Sequence, residues 1–317
     1  MKFRSLSKIK AFLMEWFSLI GIVLLVLVFS LLSQIRYGEQ YFLTVGNWRT
    51  ILMQTAPTAI VALGQALILL TGNFDLSLGR TVCLTSCIGA LMMTEYGVNT
   101  GISVLAMLLL GVLIGAVNGV LVSFVKVPAM IATLGTQYIT YGIAKLVTNA
   151  SPVVGLPASI GWLGTYSVPI MVFLYLLAET VTRYTPSGRL LYAVGGSRKA
   201  AFYAGIRVKK VYFVTFVIGG FLSAFGGLVL MARMNSATIA SGQGYEFDAV
   251  IVAIIGGVSL SGGKGKILGT LFGCLFLITL FNGFSLLGID PFVQDILKGA
   301  VLVSAILLDV LANRKED

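Results

Sequence analysis

Asp75, in the run TGNFDLSLGR, is the acid best placed to do chemistry in this chain, because it interrupts an otherwise apolar stretch. A charged carboxylate at the centre of a bilayer costs about 2.5–3.5 kcal/mol on the insertion scale. Asp75 must therefore end a span, face a polar cavity or pair, with Arg80 as the nearest partner in sequence. Gly72 and Asn73 can take left-handed backbone, and Asp75 or Ser77 can cap the helix that follows. Two readings stay open: turn and cap former, or direct contact with a solute. Gln65, Asn118, Gln137 and Asn282 are uncharged hydrogen-bonding groups inside apolar runs. They could let a hydroxylated solute pass without holding it, or they could tie helices together. These four, with Asn73 and Asp75, are the candidate pathway residues.

Other chemistry is scarce. Histidine is absent, which argues against a His-based proton relay, an imidazole metal site or Ser-His catalysis. Cys83 and Cys87 stand one helical turn apart in an apolar run, where small thiols pack, and Cys274 is isolated. Glu179 and Arg183, spaced i,i+4, are expected to pair and lock orientation, and Asp295 with Lys298 likewise at i,i+3. GVSLSGGKG (257–265) is close to a phosphate-binding loop but has the wrong Gly-Lys spacing, and Gly265 replaces the required hydroxyl residue. GKGKILG (263–269) misses the dinucleotide spacing in the same way. No nucleotide site or catalytic constellation is expected, so the chain is not read as an enzyme.

The elements that must carry these residues are membrane helices. Of 317 residues 57% are hydrophobic and only 11% charged, with mean hydropathy +0.97. A soluble domain would carry roughly a quarter charged residues, so lipid must be the solvent for most of the surface. Ten spans can be drawn, near 14–33, 49–71, 76–95, 101–124, 129–149, 168–183, 211–232, 247–261, 267–287 and 292–311. The expected fold is an all-α polytopic bundle with broken or re-entrant segments and both termini cytoplasmic. In that arrangement seventeen Lys and Arg fall on inner segments, Arg80 and the terminal Lys2, Arg4, Lys8, Lys10, Arg314 and Lys315 among them. Only Arg36, Arg49, Lys145 and Arg233 fall outside, as the positive-inside bias requires. The same bias accounts for the net charge of +10 without nucleic acid. Trp48 and Trp162 sit at the outer boundary and Trp16 at the inner one. The eighth span carries Gly256, Gly257, Gly262, Gly263 and Gly265. Such a break marks a substrate path or close glycine packing.

The stretch from Arg183 to Lys210 is a basic island with seven of the 22 Lys and Arg and no acid. Within it Ser197 is a good N-cap, Arg198 to Ala204 favour helix, and Gly205 suits the position after the C-cap. A helix that short is not stable alone in water. With Ala200, Ala201, Phe202, Tyr203 and Ala204 exposed, it needs lipid headgroups or a protein groove.

The blocks TGNFDLSLG (71–79), VPAMIATLGT (127–136), TNASPV (148–153), GRLLYAVGGSRKAAFYAGI (188–206), GYEFDAVIVAIIGGVSLSGGKGKILGTLFG (244–273) and NGFSLLG (282–288) occur in order. Through them the whole chain resembles the membrane permease subunits of ribose-type ABC sugar importers. The resemblance implies one permease domain over 1–317 in a bacterial cytoplasmic (inner) membrane, with a cytoplasmic coupling loop at about 184–210. It implies a second permease, a copy or a paralogue, two cytoplasmic ATPase subunits that hold ATP and Mg, and a periplasmic binding protein that delivers the sugar. No cofactor is expected on this chain itself. The block 188–206 matches the segment that docks on the ATPase, which assigns Gly188, Arg189, Gly195, Gly196, Ser197, Ala200, Ala201, Gly205 and Ile206 to coupling. Asn73 stands where relatives more often have Gly, and Ile239 where Pro is frequent. The alternatives are a stand-alone transporter coupled to protons or sodium, for which Asp75 is the one mid-span acid, and the same machine carrying a nucleoside or autoinducer.

Overall fold

A computed structural model describes the backbone of residues 2–313, with side chains described from Ser18 onward apart from Leu308, Ala312 and Asn313. The basic N-terminal residues, Trp16, Arg314 and Lys315 therefore lie outside the described side chains. The chain is helical almost throughout. In order it forms α1 (Lys2–Tyr37), α2 (Val45–Leu70), α3 (Leu78–Thr94), α4 (Thr100–Val120, continued by a π turn Leu121–Val125) and α5 (Ala129–Thr148). Then come α6 (Gly161–Thr165), α7 (Ser167–Tyr184), α8 (Pro186–Gly196), α9 (Arg198–Tyr203), α10 (Val208–Met234), α11 (Tyr245–Ile255), α12 (Ile267–Leu286) and α13 (Pro291–Asn313). Two-residue strands β1 (Val153–Val154) and β2 (Ser236–Ala237) pair antiparallel.

Local chemistry sets the ends. Thr44 Oγ1 accepts from Asn47 N at 3.3 Å to start α2, and Asn99 Oδ1 accepts from Gly101 N at 2.8 Å to start α4. Asn149 and Asn235 stop α5 and α10 in left-handed backbone, which a short amide side chain tolerates. Helix α2 is the central staff, buried without interruption from Thr55 to Leu70. Helix α10 runs antiparallel to it, Gly64 meeting Gly219 and Pro57 meeting Gly226. It is locked to α4 from the other side: a Cβ on Gly115 would collide with the Phe216 carbonyl. Small residues at such a contact let backbones approach, so dispersion and packing hold the pair where lipid removes the hydrophobic drive.

Among the described residues six helices are long and apolar enough to cross a membrane, or seven if the pair Ala158–Thr165 and Ser167–Tyr184, bent by 59°, is one span. Each of the ten expected spans has a helix, but three depart from a simple crossing. Helix α5 is diluted by Thr133, Thr136, Gln137, Thr140 and Lys145. Helices α3 and α11 are short because they begin inside the bundle. Leu78, the first residue of α3, packs at Gly219, eleven residues into α10 and roughly 16 Å from its start. Tyr245, the first residue of α11, joins Val61, Leu78 and Val82 in the same cluster. Residues 71–77 thus climb from the end of α2 to mid-bundle, and residues 235–244 descend along α3 to meet them.

The break expected in the eighth span is present: α11 stops at Ile255, and Gly257, Gly262, Gly263 and Gly265 follow in positive-φ backbone. One expectation is corrected: Arg80 does not belong to an inner segment. Its guanidinium lies 4.0 Å over the Tyr141 ring and donates to the Ile239 carbonyl at 3.3 Å.

Candidate functional site

Two half-helices start at one level in the middle of the bundle, and the chain places its buried acids there. The N-terminal end of a helix carries about half a unit of positive charge. Asp75 stands just ahead of α3, and Glu246 and Asp248 lie in the first turn of α11. Asp75 is 1% exposed and fully engaged. Its Oδ1 accepts from Ser77 N at 2.8 Å and Ser77 Oγ at 2.6 Å, and its Oδ2 accepts from Asn118 Nδ2 at 3.3 Å. Asn118 also donates to Ser77 Oγ at 2.8 Å and accepts from Thr136 Oγ1 at 2.6 Å. Leu76 N donates to Thr133 Oγ1 at 3.1 Å. One carboxylate thereby ties α3 to α4 and, through Asn118, to α5. The pairing with Arg80 does not form. Asn73 does not turn left-handed either; Gly72 takes that role alone at φ +75°, and Asn73 Nδ2 donates to Thr71 Oγ1 at 3.0 Å.

Glu246 sits against Gly79, where any Cβ would strike its carboxylate. Its Oε1 accepts from Gln137 Nε2 at 3.3 Å, and Gln137 is half-buried on α5. Asp248 pairs with Lys298 at 2.8 Å, so Lys298 reaches across to α11 rather than along α13 to Asp295. Asp75 is therefore not the one buried mid-span acid. Glu246 and Asp248 escaped notice because they open an apolar run and read as a span edge. The available signal was their i,i+2 spacing directly after Gly244, in a run with no nearby base. Gln65 is fully buried in α2, with neither side-chain polar atom hydrogen-bonded. Asn282 is half-buried on α12 with Oδ1 unpartnered. Neither joins the mid-bundle network.

The basic island folds into two helices, not one. Thr185 Oγ1 accepts from Gly188 N at 3.4 Å and Pro186 occupies the first turn of α8. That Thr-Pro start was the signal available for α8. Ser197 then closes α8 and caps α9, its Oγ accepting from Ala200 N at 3.3 Å. Helix α9 ends in a Schellman turn: Gly205, at φ +80°, donates to Phe202 O at 3.0 Å, and Ile206 N donates to Ala201 O at 3.0 Å. Ala201 is buried with Val194, Val208 and Tyr212, so it anchors α9 from beneath, contrary to the expectation that it is exposed. Phe202 and Tyr203 are 68% and 85% exposed. Arg189, Gly196 and Ala200 are also exposed, Ile206 is half-buried, and Gly188 is buried against Thr182.

Helix α8 clamps this segment to the glycine-rich loop after α11. Gly195 packs directly on the Leu70 carbonyl and the Gly263 amide, and Gly263 N donates to Leu70 O at 2.9 Å. Tyr192 Oη donates to Gly265 O at 2.9 Å; burial first, then the nearby Glu179 carboxylate, push its phenol above the ordinary value. Glu179 does not pair with Arg183. Its Oε2 accepts from Leu268 N at 3.1 Å and caps the start of α12. Thus α9 projects aromatic side chains outward, while α8 grips both the end of α2 and the loop that follows α11.

A family model described as the permease component of branched-chain amino acid transport systems matches residues 47–306. The ribose import permease protein of Escherichia coli (strain K12) is 39% identical over 97% of this chain and 96% of its own length. That of Bacillus subtilis (strain 168) is 36% identical over 92% and 91%. The D-allose transport system permease protein of Escherichia coli (strain K12) is 31% identical over 92% and 90%. No solved structure matches the chain.

Proposed function

This chain belongs to the family of transport-system permease components matched over residues 47–306, and from that we propose that it is the membrane subunit of an ATP-driven sugar importer. The relatives named for ribose and allose favour a monosaccharide as cargo, with a ribose-like pentose first. In this reading the chain spans the bacterial inner membrane with both termini cytoplasmic. It pairs with a second permease, receives sugar from a periplasmic binding protein, and is moved by two ATPase subunits that carry ATP and Mg.

The observation that carries this reading is α9, a capped helix that presents Phe202 and Tyr203 outward while α8 is bolted to the glycine-rich loop. A short amphipathic helix in this form suits a partner groove, and aromatic side chains dominate such contacts. Motion of α9 would pass through Gly195 and Tyr192 to the loop 256–266 and the end of α2. From there α11 leads to the mid-bundle acids. The mid-bundle polar groups Asp75, Asn118, Gln137 and Glu246 would steady the half-helices that frame the path. Gln65, Asn73 and Asn282 lie outside that cluster and would line the path separately from it.

The test is uptake by proteoliposomes containing the chain with its ATPase partner and binding protein, against the chain alone under an imposed proton or sodium gradient. ATP-dependent ribose uptake only in the full system is the expected result. Accumulation by the chain alone under an ion gradient would replace this reading with a secondary transporter. Glu246 and Asp248 are the acids such a transporter would use, and their engagement by Gln137 and Lys298 speaks against it.

A further inference from the structure

A groove of about 730 Å³ opens between α2, α7, α8 and α10. Its walls are aliphatic and aromatic, with Leu67, Leu177, Val214 and Phe221 along its length, and its rim carries Arg207 and Lys210. Arg207 is the N-cap of α10 and Lys210 lies in its first turn, and both side chains line the groove. Lys209 turns the other way, its ammonium 5.9 Å from the Phe124 ring. The rim also coincides with the positive end of a 27-residue helix whose first turn holds no acid. Cations at that end repel the helix dipole unless an anion joins them. Among the described residues no acidic side chain lines the groove, and neither Arg207 nor Lys210 makes an ion pair with a carboxylate.

From rim to floor, Arg207 to Leu222, the groove follows α10 for roughly 22 Å at the helical rise per residue. Half of a bilayer's hydrocarbon core is about 15 Å deep. An occupant must therefore be anionic at one end and apolar over at least the depth of a leaflet. A free phosphate would leave the apolar walls bare, and a zwitterionic lipid would leave the rim uncompensated. A protein seated on the rim would not reach the floor. We propose that this groove binds one anionic glycerophospholipid, its phosphate between Arg207 and Lys210 and one acyl chain laid along α10 and α7. Basic pockets between helices at a cytoplasmic surface have the electrostatics to select such headgroups. The site adds a ligand to the transport reading, and its test does not depend on transport.

The full-length chain, purified in detergent, is titrated with dioleoyl phosphatidylglycerol and with dioleoyl phosphatidylcholine and followed by native mass spectrometry. Phosphatidylglycerol is expected to bind tighter. Arg207→Gln/Lys210→Gln should weaken it roughly 30-fold, about fivefold for each cation removed, and leave phosphatidylcholine unchanged. Lys209→Gln removes a charge from the same turn but faces away, so it should retain tight binding. Val214→Trp keeps both cations and fills the groove, so it should lose binding, which separates chain from headgroup. Equal affinity for the two lipids would overturn the proposal, as would equal loss in Lys209→Gln and the double variant. Full phosphatidylglycerol binding by Val214→Trp would overturn it too, because the headgroup alone would then suffice.

Discussion

Substituting Gly195 by alanine tests whether the clamp between α8 and the glycine-rich loop transmits force. The new methyl group would run into the Leu70 carbonyl and the Gly263 amide. Both are backbone atoms, so neither can swing aside as a flexible side chain would. Overpacking of this kind costs about 1–3 kcal/mol. If relief comes from parting Gly263 N from Leu70 O, a buried donor is stranded for about 1–3 kcal/mol more. Gly196 gives the matched comparison, because a Cβ there meets nothing within 4 Å. Gly196→Ala adds the same methyl one residue away and should gain helix propensity of up to about 1 kcal/mol. Thermal melting of the purified subunit and the ratio of ATP hydrolysed to sugar transported form the assay. Gly195→Ala should insert in the membrane, melt several degrees lower, and hydrolyse ATP with little uptake. Gly196→Ala should melt at or above wild type. Equal melting and equal coupling for the two variants would refute the reasoning, because the clamp would then be neither tight nor a transmitter.

Lys298→Met strands the Asp248 carboxylate and should cost about 3–5 kcal/mol; adding Asp248→Asn should recover most of the lost melting temperature. Asp75→Asn turns one acceptor into a donor facing Asn118 Nδ2, at about 1–3 kcal/mol. Hydrogen exchange at the start of α3 should quicken while membrane insertion is retained. Ser197→Ala removes the cap of α9 for about 1 kcal/mol, which faster exchange over 198–204 would reveal. Phe202→Ala/Tyr203→Ala removes only exposed surface, so melting should hold while co-purification of the ATPase partner is lost.

The helices of the ten expected spans were legible because each is an apolar run long enough to be recognised, and α9 because its cap residues are local: Ser197 and Gly205 bracket it within nine positions. The short α6 and α8 were missed because neither is such a run. What joins elements was harder to see. Asp75 and Asn118 each stood out as polar residues in apolar company, yet 43 positions separate them, and nothing local announces that bond. Glu179, Arg183, Asp295 and Lys298 show the opposite error. Helical spacing offered each acid a neighbour, but Glu179 chose an amide of α12 and Lys298 chose Asp248. In a packed bundle, the desolvated helix start or buried acid has more to gain than an exposed i,i+4 partner. Gly79, Gly115 and Gly195 carry no signal of their own. Only the neighbour's backbone explains why a hydrogen must stand there.

The meeting of α3 and α11 halfway through the protein has a mechanical consequence. A continuous rod that tilts must move both of its ends, in opposite directions. Elements severed at half depth let the inner portion swing while the outer portion stays seated. A passage flanked by such pieces can be unsealed from one side at a time, with Gly79 and Gly242 closely apposed at the pivot.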